Sequence, residues 1–222
     1  MPEDLWTEVD AYIDSRVVRP DPVLERALNA TAGAGMPPIA VSAAQGKLLA
    51  LIARMIGARR ILEIGTLGGY STIWLAGALS AGGSLLSLEI DPAHAGVARA
   101  NLAAAGLDKV AEVRVGGALD TLPTLSTEPA DRFDLVFIDA DKASIPEYFD
   151  WSLRLTHPGS IIVVDNVIRD GKVIDGSSDD PNVVGVRRFN DLIAATAEVS
   201  ATTIQTVGSK GYDGFTLALV EG

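Results

Sequence analysis

Cysteine is absent from this chain of 222 residues. That excludes disulfides, thiolate metal sites and a cysteine nucleophile, and it is compatible with the cytoplasm. Histidine is scarce, with only His94 and His157. Neither lies near another candidate group in sequence, which leaves no material for a Ser-His-Asp triad or a His-rich metal site. His94 follows Asp91-Pro92 at a helix start. His157 precedes Pro158-Gly159 at a helix end, where a cation suits the helix dipole. Both read as structural. Any chemistry then falls to carboxylates, amides, lysine or tyrosine.

Long apolar runs are missing as well. The longest, Leu48–Ile56, contains Arg54 and is too short to span a bilayer. The opening MPEDLWTEVD is acidic, whereas a secretory leader starts basic and then turns apolar. Positive charge is in deficit: the formal net charge is −11. Nucleic acid and anionic membrane are therefore not expected partners, because phosphate binding needs basic patches. With 48% hydrophobic and 21% charged residues, the chain has the balance of a globular protein, and its length suits one domain with a sizeable core.

The dinucleotide fingerprint G-x-G-x-x-G is also lacking, although a related feature is present. In RILEIGTLGGYS (Arg60–Ser71) a short apolar strand ends at Gly65, Gly68 and Gly69 follow, and Tyr70-Ser71-Thr72 opens a helix. Glycines at such a turn let backbone approach a ligand, and the helix start offers free N–H donors. Glu63 at the strand end would repel a pyrophosphate. A cofactor carrying a cation fits better.

Before this turn the sequence predicts three helices, over Leu5–Val18, Asp21–Ala32 and Ala43–Ile56. The first has its apolar residues spaced by four and is stopped by Pro20; the second carries Asp21 as cap and Pro22 at its first position; the third is capped by Ser42 and closed by Gly57. From Arg60 strands and helices alternate. Strands are expected at Ile61–Ile64, Ser84–Glu89, Ala111–Val115, Leu135–Ile138, Ser160–Val164, Thr202–Val207 and Phe215–Val220. Helices are expected at Thr72–Leu79, Ala93–Ala104, up to Leu122, Ile145–Leu155 and Val183–Thr196, with a long loop over Asp165–Asn182. This is the pattern of an α/β, doubly wound, Rossmann-like sheet, mostly parallel, whose last two strands pair antiparallel across Gly208–Gly214. We expect one domain, with residues 1–58 as a helical cap and 59–222 as the core.

Ligands of such sheets bind at the carboxyl ends of the strands. Polar residues gather at those ends. Glu89, after the second strand, suits ribose hydroxyls. Gly116–Ala118 leaves room for a flat base. Asp139, Asp165 and Asn166 bring hard oxygen donors from neighbouring strands, a set for Mg²⁺, Mn²⁺ or Ca²⁺ and not for zinc. The alternative is that the two aspartates merely cap their loops. Lys142 lies three residues after Asp139; beside a divalent cation its pKa should fall, which suits a general base. The alternative is a surface lysine paired with Asp141.

Taken together, LEIGTLGGYST (Leu62–Thr72), SLEID (Ser87–Asp91), GGALD (Gly116–Asp120), FIDADK (Phe137–Lys142), VVDNV (Val163–Val167) and GYDGFTLAL (Gly211–Leu219) resemble the cation-dependent O-methyltransferases, the class of catechol and caffeoyl-CoA O-methyltransferases. The likeness runs from about Met36 to the C-terminus. It implies S-adenosylmethionine as methyl donor and a catechol-like small molecule as acceptor. Glu63 would lie near the cationic methionine portion, with Gly65, Thr66 and Gly69 in the turn beside it. Val41, Tyr70 and Ser71 would touch the methionine end, Glu89 the ribose and Ala118 the adenine. Asp139 would touch the cofactor and also bind the divalent cation with Asp165 and Asn166. Lys142 would take the phenolic proton. The resemblance also favours a homodimer, for which the apolar N-terminal helices with Trp6 offer a surface. The chain departs from the family at Ile145 and Arg169, where aromatic residues are frequent; Arg169 would either set a cation near the acceptor and favour an anionic catechol, or merely point to solvent. The competing readings are a metal-independent methyltransferase, a nucleotide-dependent oxidoreductase and a non-catalytic binding or dimerisation protein on the same fold.

Overall fold

A computed structural model describes residues 3–19, 21–126 and 132–222. Its centre is a seven-stranded sheet in the order β3-β2-β1-β4-β5-β7-β6. The strands are β1 (Arg60–Ile64), β2 (Ser84–Glu89), β3 (Ala111–Val115), β4 (Phe133–Ile138), β5 (Thr156–Asp165), β6 (Val199–Gly208) and β7 (Gly211–Val220). The first five pair in parallel, and β7 runs antiparallel between β5 and β6. The chain winds outward from β1 to β3 and then crosses back to β4, so strand order reverses between β1 and β4. That reversal is where a doubly wound sheet opens a crevice at its carboxyl edge.

The helices are α1 (Glu3–Ile13), α2 (Pro22–Gly33), α3 (Ala43–Met55), α4 (Tyr70–Ala76), α5 (Pro92–Ala104), α6 (Ala118–Leu125), α7 (Ile145–Leu155) and α8 (Pro181–Ala195). Asp21 and Ser42 cap α2 and α3 as expected, accepting from Val23 N and Gln45 N. The first helix does reach Val18, but Asp14–Val18 is wound as a π-turn. Pro20, expected to stop it, lies outside the described residues.

Side-chain alternation along each strand divides the core between the two faces. Ile61, Leu85, Leu135, Phe137 and Val163 join α2 to α5 on one face. Leu62, Ile64, Leu88, Val136, Ile138 and Val164 join α6 to α8 on the other. Ile145 is fully buried in that second core. Among the described residues, no helix is long and apolar enough to cross a membrane.

Strand boundaries differ from expectation most at β5, β6 and β7; β6 starts at Val199, ahead of the expected Thr202. β5 starts at Thr156, four residues early, because His157 N donates to Ser160 Oγ and Ser160 Oγ to Phe133 O, which hold the Pro-Gly segment beside β4. His157 is thus a strand residue: its Nε2 sits 3.0 Å from Asp134 Oδ1, and the Pro158 carbonyl together with Asp134 raises its pKa. The Gly208–Gly214 loop is largely strand, turning only at Ser209-Lys210.

Candidate active site

Glu63 is fully buried at the end of β1. It shares the parity of Ile61, so it faces α4, and its register partner on β2 is Ser87. Ser71 Oγ donates to its Oε1, and Thr72 Oγ1 and Ser87 Oγ donate to its Oε2, at 2.5–2.6 Å. No basic side chain bonds to it among the described residues. Burial, partly offset by these hydroxyls, pushes its carboxyl up to about 7.

The glycine turn is shaped by close approach. Gly65 has φ +97°, and a Cβ there would sit 2.2 Å from the Asp139 carbonyl oxygen, so only glycine lets the ends of β1 and β4 meet. Glu89 closes the turn from β2: its Oε2 accepts from Thr66 N and Leu67 N, at 3.1 and 2.8 Å. Asn101 of α5, which the sequence did not single out, holds the Gly68 carbonyl at 2.8 Å.

Asp139 and Asp165 follow Phe137 and Val163 at alternate positions, so both carboxylates emerge on the face that Glu63 uses. Lys142 Nζ lies 2.6 Å from Asp139 Oδ1, and the lysine is 8% exposed. It does not pair with Asp141, which caps the Lys142–Ser144 turn at Ser144 N and accepts from Tyr148 OH. Asp165 is buried and its carboxyl is held well above the usual range, by burial first and by Asp139 second. Asn166 adopts φ +58°, a left-handed residue directly after β5.

These groups border a cavity of about 730 Å³ at the β1/β4 reversal. Val41, Gly65, Thr66, Tyr70, Ser71, Glu89, Ala118, Asp139, Lys142 and Asn166 line it. Glu63 and Asp165 lie just beneath the lining. Gly69 does not line it: its φ of +81° starts α4 against Ala98 of α5. His94, read as structural, does line it, with Nδ1 3.8 Å from Glu89 Oε1. Tyr148 and Asn182 are further lining residues without a sequence signal; they come from helices that follow the strand ends. A larger hollow of about 950 Å³ opens at the opposite end of the sheet, around Arg60, Arg99 and Phe133, and contains none of the indicated residues.

Among the described residues, no group of three or more His, Cys, Asp and Glu side chains is placed to hold a metal. The set at this corner is different, two carboxylates and one amide. With Glu63 nearby, it places three acidic groups against a single ammonium, Lys142. Buried carboxylates need compensating charge. A hard divalent cation and a cationic cofactor both fit that surplus.

A reversed doubly wound sheet with a cavity at its switch point and a buried acid under a glycine turn defines a Rossmann-like, cofactor-using enzyme. Residues 14–220 match the family model described as O-methyltransferase, and the chain belongs to that family. It is similar to the catechol O-methyltransferase of Niastella koreensis, at 51% identity over 100% of both chains. It is also similar to the catechol O-methyltransferase of Mycobacterium tuberculosis, at 54% identity over 96% of this chain and 95% of the relative. Among solved structures it superposes on the O-methyltransferase TomG from Streptomyces achromogenes, involved in tomaymycin synthesis and crystallised with SAM. The TM-score is 0.97, at 52% identity and 100% coverage of both.

Proposed function

We propose that this chain transfers the methyl group of S-adenosylmethionine to one hydroxyl of a catechol-like small molecule, assisted by a divalent cation, Mg²⁺ first. The observation that carries the reading is the surplus of buried carboxylate beside one lysine at the carboxyl edge of β1, β4 and β5. The names of the relatives support the acceptor, and the SAM-bound structure of TomG supports the donor.

In this reading Glu63 faces the sulfonium end of the donor through Ser71, while Val41 and Tyr70 border the methionine portion. Glu89 takes the ribose and Ala118 borders the base. Asp139, Asp165 and Asn166 would hold the cation, which would lower the pKa of a hydroxyl presented to it. Lys142 Nζ, once its ammonium has released one proton to solvent, would accept the phenolic proton. The cavity would hold the acceptor oxygen near the donor methyl, and the donor would supply that methyl, its S–C bond breaking as the O–C bond forms. The step neutralises an anion and a cation, and an enclosed site with little water favours it.

The test is a methyl-transfer screen over vicinal diphenols with Mg²⁺, Mn²⁺ and Ca²⁺. Monomethylated product from vicinal diphenols, and not from isolated phenols, is expected. Equal turnover of both would overturn the acceptor assignment.

We also read the chain as a homodimer. β6 is an edge strand whose residues are almost all exposed, and α1 lies against it, with Ser209 N bonded to Asp10 Oδ2. Val9 and Tyr12 on α1, Val17 on the π-turn after it, and Ile204 and Val207 on the strand expose apolar surface. An open edge beside such side chains is a surface that a second copy can cover.

A further inference from the structure

We infer that Arg169 is an anchor for a carboxylate on the acceptor, so that the preferred substrates are catechols bearing an acidic side group. This rests on the acceptor class proposed above and narrows it.

Arg169 lines the cavity with Asn166, Lys142, Tyr148 and Asn182. It is therefore at the end where the acceptor would lie, away from Glu89 and Ala118. The other charged groups at this end already have partners. Lys142 is bonded to Asp139, and Asp141 to Tyr148 and Ser144. Arg169 is less well matched. Among the described residues its ion-pair partner is Asp213, with Nη1 3.7 Å from Oδ2, beyond hydrogen-bonding range, and its buried Nε has no acceptor.

The reason lies in the loop. Asp213 Oδ1 is occupied by the backbone N–H groups of Ile168, Arg169 and Gly214. That carboxylate fixes the backbone and leaves the guanidinium underused. Arg169, Asp170 and Gly171 all have positive φ, at +56°, +55° and +80°. Such a run of left-handed residues persists only where surrounding contacts hold it. Here Asp213 supplies that hold and presents Arg169 at the cavity rim.

A guanidinium is always charged, and its parallel donors match a carboxylate. A neutral catechol would leave it unmatched. An acceptor with a carboxylate opposite its two hydroxyls would satisfy Arg169 at one end while its oxygens face Asp139, Asn166 and Lys142 at the other.

The test compares 3,4-dihydroxybenzoate with its methyl ester, which removes the charge and keeps the diphenol. The wild type is expected to prefer the acid in kcat/KM. Arg169→Gln should lower the acid-to-ester ratio by about 10- to 100-fold, mainly through the KM of the acid, as expected for a lost charge-assisted bond. Arg169→Lys should recover part of it. The ratio is internal to each variant, so partial misfolding cannot imitate the effect. An unchanged ratio in Arg169→Gln, with both compounds methylated by the wild type, would overturn this inference alone. Failure of the wild type to methylate either compound would overturn the proposed function and this inference with it.

Discussion

A carboxylate buried without a basic partner is stable only if it is protonated or if something else brings compensating charge. Glu63 is in that position, with its carboxyl pushed up to about 7. Between about pH 4.5 and about 7 the folded protein holds a proton that the unfolded chain has released. Stability without ligand therefore falls as pH rises through this window, by about 3 kcal/mol for the full shift. Asp165 shifts in the same direction, so the informative quantity is the difference between variants. Glu63→Gln without ligand should melt several degrees above the wild type at pH 8 and close to it at pH 4.5. The same variant should bind S-adenosylmethionine at least tenfold more weakly by calorimetry, if the acid faces a sulfonium. A second residue-scale test concerns Lys142. Lys142→Met should lower kcat by about 10²–10⁴-fold, the usual worth of a general base, while the donor still binds. Retained turnover would remove the lysine from the chemistry. Glu63, Asp139 and Lys142 could be read from sequence because strand ends and charge are local signals. The hydroxyls on Glu63 could not: Ser71 and Thr72 meet it from a helix, and Ser87 from a neighbouring strand.

Elements fix where those residues stand. The Lys142–Ser144 turn rests on α8 at Gly185, where a Cβ would lie 2.2 Å from the Lys142 carbonyl oxygen and 2.7 Å from Ala143 Cα. Gly185→Ala should therefore push the turn aside, lowering kcat and costing about 1–3 kcal/mol by overpacking. Gly33→Ala, where no atom of the described residues lies within 4 Å of an added Cβ, should change neither activity nor stability appreciably. Paired melting and kinetics on the two variants check this, and equal behaviour would dissociate α8 from the catalytic turn. Most elements were legible because apolar alternation, Asp and Ser caps and Pro starts all agree. The ends of β5, β6 and β7 were not, because glycine and proline there serve packing as well as turning. Gly214 looks like a loop residue, yet it lies within β7, where a Cβ would be 2.3 Å from the Ile204 carbonyl oxygen.

At the scale of the whole molecule, the sheet reversal gathers residues from Thr31 to Asn182 around one cavity, although they are far apart in sequence. Topology of this kind follows from alternating strands and helices and the right-handed crossover, which is why the general location was readable. The exposed apolar face of α1 and β6 leads to a further expectation. Sedimentation equilibrium should give twice the chain mass, and Tyr12→Glu with Val17→Glu should shift it toward the single-chain mass. A single-chain mass for the wild type at all concentrations would exclude the dimer. The most direct test of cation-assisted methyl transfer is turnover of a vicinal diphenol in excess chelator, followed by add-back of Mg²⁺. Loss of turnover by 100-fold or more, with S-adenosylmethionine still bound and activity returning on add-back, is expected for a cation acting on the acceptor. Full turnover in the presence of excess chelator would contradict it, and would reassign Asp139 and Asp165 to holding their loops.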